Sequence, residues 1–282
     1  MNFGVFLILK INSSVEENLR LAKEAGFDYA DVTYTHSGSS MAVRSGYIPS
    51  VSLDENPFDT KRLFEKFNMK ISSVCAHAPL LEPSSPMRMG TAEIMKAVRF
   101  AAAIGVRDVI TTEFYAQSDW AKKLSYEQRV TIAAEKLYEP CRMASDFGVK
   151  ICLEPHGPVT CSVKGLRDIM DMLGNIDSAG VNLDTGNSWL GGSDPVEMAK
   201  TFKDRIYHIH WKDLGPEFIE KRGTVFGSGF STIELGTGVI DIKGIIAVLK
   251  DSPLIHHSTL EITGTAQLLK ASAEYVTKHW NS

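Results

Sequence analysis

Four short runs in the second half of the chain each lead from an apolar stretch into a metal-ligand type of side chain. They are Leu153-Glu154-Pro155-His156-Gly157, Leu183-Asp184-Thr185-Gly186-Asn187, His208-Ile209-His210-Trp211-Lys212-Asp213 and Leu260-Glu261-Ile262-Thr263-Gly264. Three carboxylates and an imidazole gathered within a few Å would repel as bare anions and push one another's pKa values upward. A divalent cation removes that repulsion. Glu154, Asp184, His210 and Glu261 make a donor set rich in oxygen and without thiolate. Such a set suits Mn²⁺, Mg²⁺ or Co²⁺ with open positions better than a closed structural zinc site. Manganese is the expected ion, and Mg²⁺, Co²⁺ or Zn²⁺ could take its place. A metal that chelates a carbonyl and the adjacent hydroxyl lowers the barrier to removing the α-proton, because the enediolate charge then lies on metal-held oxygens. Glu154 and Glu261 come from strands separated by two others, so they can flank a substrate, one taking a proton and the other delivering it. Positioned acid–base groups of this kind are typically worth about 10² to 10⁴ in rate.

Chemistry of this sort requires the four runs to end at one level of one sheet. Eight strands are expected, at Phe3 to Leu9, Phe27 to Thr33, Lys70 to Ala76, Arg107 to Thr112, Lys150 to Glu154, Gly180 to Asp184, Ile206 to His210 and His256 to Ile262. Side chains alternate along a strand, so Lys150, Cys152 and Glu154 share a face, as do Asn182 and Asp184, His208 and His210, and Thr259 and Glu261. Between the strands lie patterns such as Val15, Leu19, Ala22 and Val130, Ala133, Leu137, Cys141, Ala144, whose three-and-four spacing gives a helix one apolar face to bury. Gly26, Gly105, Gly148 and Gly180 stand where helix-like stretches give way to strand-like ones, the place for a left-handed residue that stops a helix. Repeated strand-then-helix units with no linker or composition shift predict an α/β fold, a single-domain (β/α)₈ TIM barrel over residues 1–282. A doubly wound sheet is disfavoured, because Leu9-Lys10-Ile11-Asn12-Ser13-Ser14 stands where a dinucleotide-binding glycine loop would follow the first strand. Barrel enzymes place their chemistry at the C-terminal ends of the strands, where the four runs lie.

Composition narrows the partners. The 282 residues are 44% hydrophobic and 23% charged, with a formal net charge of −4. That balance gives no electropositive field to collect nucleic acid. No run reaches the 18 or so apolar residues of a membrane span, and the N-terminus lacks a basic n-region and cleavage site, so a cytoplasmic protein is expected. Cys75, Cys141, Cys152 and Cys161 show no CxxC spacing and read as buried thiols.

Further residues are candidates for substrate contact. His156 shares the parity of Glu154, His77 ends the third strand on the opposite wall, and Glu113 ends the fourth. Lys212 could hold an anionic group or pair with Asp213 or another acid. Trp211 and Trp189 could present ring faces to a sugar or pack under loops. His208, deeper than His210, reads as a core-layer residue. The connection from Leu214 to Ile240 carries Gly215, Gly223, Gly227, Gly229, Gly236 and Gly238 and reads as a lid; the stretch from His36 to Pro57 would close the other side. Asp241 reads as the cap of a following helix that buries Ile242, Ile245 and Ile246.

Glu154-Pro155-His156, Asp184-Thr185-Gly186-Asn187, His210-Trp211-Lys212-Asp213, Gly236-Thr237-Gly238 with Asp241, and Glu261 together resemble the sugar phosphate isomerase/epimerase-like superfamily of xylose-isomerase-type barrels. The resemblance spans essentially the whole chain. It implies that Glu154, Asp184, His210 and Glu261 bind the metal and that Glu154 and Glu261 are the acid–base pair. Family members commonly have His at the position of Asn187, which touches substrate oxygens in the epimerases, and Lys212 looks more like the dehydratase branch. The first expectation is an isomerase or epimerase that moves protons α to the carbonyl of a small-molecule sugar or keto-sugar. The alternative is a lyase or dehydratase on a keto-sugar, such as inosose dehydration or 3-keto-glycoside cleavage. Abasic-site endonuclease activity and a non-catalytic sugar-binding barrel are disfavoured, the former by the few histidines and acidic balance, the latter because all four ligand positions are filled. Sugar-active relatives often pair, so a homo-oligomer would use the helical exterior.

Overall fold

The computed structural model describes residues 1–35, 50–83, 89–113, 116, 118–227 and 233–282. Its strands are β1 (Asn2–Phe6), β2 (Tyr29–Thr35), β3 (Ser50–Ser52), β4 (Lys70–Cys75), β5 (Asp108–Thr111), β6 (Lys150–Leu153), β7 (Ala179–Asp184), β8 (Ile206–Trp211) and β9 (His257–Leu260). They pair in the order β1-β9-β8-β7-β6-β5-β4-β2, and β1 also pairs with β2, which closes the sheet. All pairings are parallel; Val5 of β1 stands beside Ala30 of β2 and Leu260 of β9. The short β3 lies outside the closed ring, beside β2. This is the expected (β/α)₈ barrel; the eight strands lie within a residue of where the sequence places them except that β1 ends at Phe6, three residues early, β2 runs two residues later, and β9 ends at Leu260, two residues early.

Helices α1 (Val15–Glu24), α2 (Pro57–Lys66), α3 (Met89–Ile104), α4 (Asp119–Lys122), α5 (Tyr126–Phe147), α6 (Val163–Met172), α7 (Thr185–Leu190), α8 (Pro195–Phe202), α9 (Ile242–Leu249) and α10 (Ala266–Trp280) occupy the connections. Most begin at a side-chain oxygen that accepts from the first turn; Asp241 accepts from the Gly244 N–H, and Ile242, Ile245 and Ile246 are buried. Gly26, Gly105 and Gly148 have positive φ and stop α1, α3 and α5. Gly180 does not stop a helix. It lies inside β7, where a Cβ would come within 2.3 Å of the Tyr207 ring, and α6 instead gives way at Gly174 and Asn175, both at positive φ.

Strand alternation divides the side chains into two regions. Ile151, Leu153, Val181, Leu183, Ile209 and Leu260 face outward into the strand–helix core, each burial worth roughly 1.5–3 kcal/mol. A smaller cluster of Phe6, Ile8, Cys75, Ile110, Cys152 and Tyr207 fills the barrel interior. Between β7 and β8 the register shifts by one residue, so Tyr207 joins that cluster while His208, its neighbour, is also buried against the interior residue Asp31. Above this apolar floor the interior turns polar.

Candidate metal centre

Glu154 follows β6, its N–H donating to the Thr111 carbonyl at 2.8 Å. Asp184 ends β7 and caps α7, its Oδ1 accepting from the Asn187 N–H at 2.7 Å. His210 is paired in register with Asp184 on one side and Thr259 on the other. Glu261 follows β9, its N–H donating to the Trp211 carbonyl at 3.1 Å. Backbone pairing thus fixes all four at one level. All four are buried, and one donor atom from each lies within 4.8 Å of the others.

His210 turns Nδ1 toward this cluster, 2.9 Å from Glu154 Oε1 and 2.9 Å from Glu261 Oε2. Its Nε2 turns the other way, 2.9 Å from Asp31 Oδ2. Lys212 reaches in from the end of β8, its Nζ 2.8 Å from Asp184 Oδ2, 3.0 Å from Glu261 Oε1 and 3.2 Å from Asn187 Oδ1. Gly186 makes room for its stem, since a Cβ there would lie 2.7 Å from Lys212 Cβ. Glu154 Oε2 is 2.8 Å from His77 Nε2 and 3.2 Å from His156 Nε2, and His156 Nε2 is 3.2 Å from Asn187 Nδ2. His77, His156, Asn187 and Lys212 therefore form one continuous polar wall with Glu154, Asp184, His210 and Glu261.

Burial raises the pKa of every carboxylate here, and the neighbours decide the outcome. For Glu154, His156 and His210 overcome burial and hold the carboxyl well below its usual range. For Glu261, Lys212 and His210 do the same, to about 2. For Asp184 burial prevails and the carboxyl rises to about 7 despite Lys212. Burial would neutralise His210, but Glu154 and Glu261 keep its pKa well above the usual imidazole range. His77 is pushed down to about 4 by burial and by His156.

The donors fit a divalent cation. Three buried carboxylates share one ammonium and one imidazole, and Asp184 Oδ2 and Glu261 Oε2 meet Lys212 Nζ and His210 Nδ1 at 2.8 and 2.9 Å without the alignment of a hydrogen bond. Buried oxygens left this way are costly unless an ion takes them.

Two expectations change on this geometry, those for Trp211 and Glu113. Trp211 follows an inward His210, so strand alternation turns it outward; it is fully buried in the strand–helix core with its ring centroid 6.4 Å from that of Trp280, away from any substrate. Glu113 is buried with its oxygens accepting from the Val159 and Thr160 N–H groups at 2.8 to 3.2 Å, so it holds the loop after β6 instead of meeting a substrate. Trp189 packs beneath the Arg222 guanidinium, 5.0 Å from its ring. Lys212 pairs with Asp184 and Glu261, while Asp213 accepts from the N–H groups of Gly236, Gly238 and Ile240 at 2.9 to 3.1 Å and so anchors the long connection after β8. That connection comes over the centre at Gly227, where a Cβ would lie 2.5 Å from His156 Nδ1. Residues 36–49 of the expected second lid, and Gly229 of the first, lie outside the described residues. The residue missed from sequence is Asp31, whose signal is a lone carboxylate within an otherwise apolar strand, Tyr29-Ala30-Asp31-Val32.

The xylose isomerase-like TIM barrel family matches residues 19–279. An inosose dehydratase of Clostridium botulinum (strain Eklund 17B / Type B) is 25% identical over 240 residues, 78% of this chain and 78% of that protein. Another, of Clostridium botulinum (strain Alaska E43 / Type E3), is 30% identical over 135 residues, 45% of this chain and 44% of that protein, so this match spans under half of the relative. Among solved structures, a D-tagatose 3-epimerase-like protein superposes with a TM-score of 0.72 at 17% identity, covering 100% of this chain and 97% of that one. The IOLI protein with a binding zinc atom gives 0.69 at 18%, covering 100% and 95%. Among the described residues no helix is long and apolar enough to cross a membrane.

Proposed function

From a chain that belongs to the xylose isomerase-like TIM barrel family, we propose a divalent-metal-dependent enzyme that removes a proton α to the carbonyl of a sugar-like polyhydroxy ketone and then expels a β-hydroxyl as water. The observation that carries this reading is the single buried cluster in which Glu154 and Glu261 flank His210 Nδ1 and Lys212 stands between Asp184 and Glu261. A divalent ion held by Glu154, Asp184, His210 and Glu261, for which manganese is our assignment, supplies Lewis-acid polarisation of a carbonyl and its neighbouring hydroxyl.

The chain's own residues do the rest. Glu154 and Glu261 are kept ionised by their cationic neighbours, the form in which a carboxylate begins as a base. His77 and His156 hold Glu154 Oε2 and fix the direction of its carboxylate. Asn187 joins His156 to Lys212, which lines these groups along one wall for substrate hydroxyls. The buried Lys212 ammonium offers a positive charge to a departing hydroxyl, which leaves as water with the proton that the carboxylate took from the α-carbon; elimination needs such a group and epimerisation does not. Sequence patterns put epimerisation first; the place of Lys212 and the inosose dehydratase relatives favour elimination.

Epimerisation is the second reading. Its support is the pair of carboxylates, which would take a proton from one face of a ketose and return it to the other. The deciding experiment offers the Mn²⁺-loaded protein a panel of inososes, ketoses and 3-keto-glycosides in D₂O and follows product mass. Loss of water with carbon-bound deuterium supports the dehydratase. Deuterium in a product of unchanged composition establishes the epimerase instead. Metal binding without exchange on any carbonyl substrate sinks both.

A further inference from the structure

Asp31 is fully buried in β2, three strands away from His210 around the ring, and reaches across the barrel interior. Its Oδ2 is 2.9 Å from His210 Nε2 and 3.1 Å from His208 Nε2, and its Oδ1 accepts from the Ser72 hydroxyl. We infer that Asp31 is the positioning residue of the metal centre, accepting a hydrogen bond from His210 Nε2–H and thereby committing Nδ1 to the ion. The inference rests on the reading that Glu154, Asp184, His210 and Glu261 hold a divalent cation.

A neutral imidazole carries one proton, and only its other nitrogen can bind a cation. Both ring nitrogens of His210 face carboxylates. On the Nδ1 side Glu154 Oε1 and Glu261 Oε2 compete for the proton, and a proton there would close the site to an ion. Asp31 supplies the opposing acceptor. A histidine that ligates a metal generally donates its second N–H to a carboxylate or carbonyl, which fixes the tautomer and the ring plane.

The carboxylate is itself built in. Opposite Asp31 the pairing of β2 with β4 shifts register, Ala30 facing Ile71 and Val32 facing Val74, so β4 spends one extra residue there and presents Ser72 to Asp31. His208 supplies a second imidazole donor and is held by Thr259 Oγ1 at 3.0 Å. A buried carboxylate with three donors aimed at it is expensive to assemble, and packing alone would be served by an apolar side chain of similar size. Cys75 also lies within reach of Asp31 and His210, so an ion on the Nε2 side is the competing arrangement. That side offers one carboxylate, already held by Ser72 and His208, against the three carboxylates gathered about Nδ1.

The test uses the full chain loaded with Zn²⁺, which is diamagnetic. Long-range ¹H–¹⁵N spectra of the histidine rings, with His210 assigned through His210→Asn, are expected to show one ring protonated at Nε2 and metal-bound at Nδ1. Titration calorimetry of Asp31→Asn is expected to show Zn²⁺ binding weakened by about 10- to 100-fold, the usual cost of losing such a partner, and Ser72→Ala a smaller loss of the same sign. A purely structural role would lower the melting temperature and leave the affinity of the folded protein alone. A wild-type ring bound through Nε2 overturns the inference even if Asp31→Asn does not fold. Folded Asp31→Asn with wild-type affinity overturns it as well, with the metal reading intact. A wild-type chain that binds neither Zn²⁺ nor Mn²⁺ overturns the metal reading and this inference with it.

Discussion

Two charged layers are stacked inside the barrel, and they are closed to different degrees. In the lower layer every carboxylate oxygen has a donor: Arg107 Nε and a terminal guanidinium nitrogen hold the two oxygens of Asp108 at 2.6 and 2.9 Å, and Ser72, His208 and His210 hold those of Asp31. In the upper layer Glu154, Asp184 and Glu261 face one imidazole and one ammonium, and Asp184 Oδ2 and Glu261 Oε2 receive no hydrogen bond from the described residues. The same buried surroundings act on both. A layer whose carboxylate oxygens are all held stabilises the floor of the barrel, whereas one with more carboxylates than cations can take a further positive charge.

The largest effect that can break this contrast is at the upper layer. Glu154→Gln and Glu261→Gln keep a ligating oxygen and remove the ability to take a proton, so each is expected to cost about 10² to 10⁴ in kcat with the protein folded. Turnover of either variant within a few-fold of wild type would remove the carboxylate from the chemistry. At Asp108, the lower-layer carboxylate that does not touch His210, the consequence is stability. Asp108→Ala leaves Arg107, which is about one-fifth exposed, without its carboxylate. A loss of about 3 to 5 kcal/mol is expected for breaking a buried pair, towards the lower end here, with Mn²⁺ affinity unchanged. Urea unfolding beside calorimetry reads both quantities, and a large fall in affinity would mean that Asp108, like Asp31, acts on the upper layer through the imidazoles.

Glu113 sharpens the contrast, because it sits at the mouth yet is closed like the floor. Burial lifts its carboxyl to about 7, over the opposing pull of Thr160 and the loop N–H groups. The folded state therefore holds this proton more tightly than the unfolded chain, whose glutamate titrates near 4.3. Stability from this group is full below about pH 4.3, falls as the pH rises, and is lost above about 7, a span of up to about 4 kcal/mol. Glu113→Gln still offers an acceptor to Val159 and Thr160 and does not titrate. The stability difference between wild type and variant should shift in favour of the variant between pH 5 and 7. Parallel curves across that window would show that Glu113 is ionised at little cost.

Alternation along strands made the upper layer legible in the sequence. Once Ile209 is outward, His210 is inward, and the same count places Glu154 and Asp184 with it. Partnership across the barrel was not legible. Asp31 and His210 are 179 residues apart, and their contact follows from closure of the ring and from an extra residue in β4, neither of which leaves a local pattern. Gly180 was misplaced for a related reason. Its small size serves the Tyr207 ring, and Tyr207 comes inward only through the register shift between β7 and β8. Glu113 lies at the expected level, but level does not determine what a side chain bonds.

The smallest effect is expected at Trp211, next in sequence to a ligand and turned away from it. Its indole is fully buried against Trp280, and its Nε1–H has no hydrogen-bond partner among the described residues. Trp211→Phe removes that unpaired donor, which offsets part of the cost of the smaller ring, so a net loss of only about 1 kcal/mol is expected. Activity and metal affinity should match wild type, because the backbone bond from Glu261 to the Trp211 carbonyl does not depend on the side chain. A drop in kcat without a drop in stability would place the indole in contact with substrate, and alternation along β8 would then have to fail within one residue of His210.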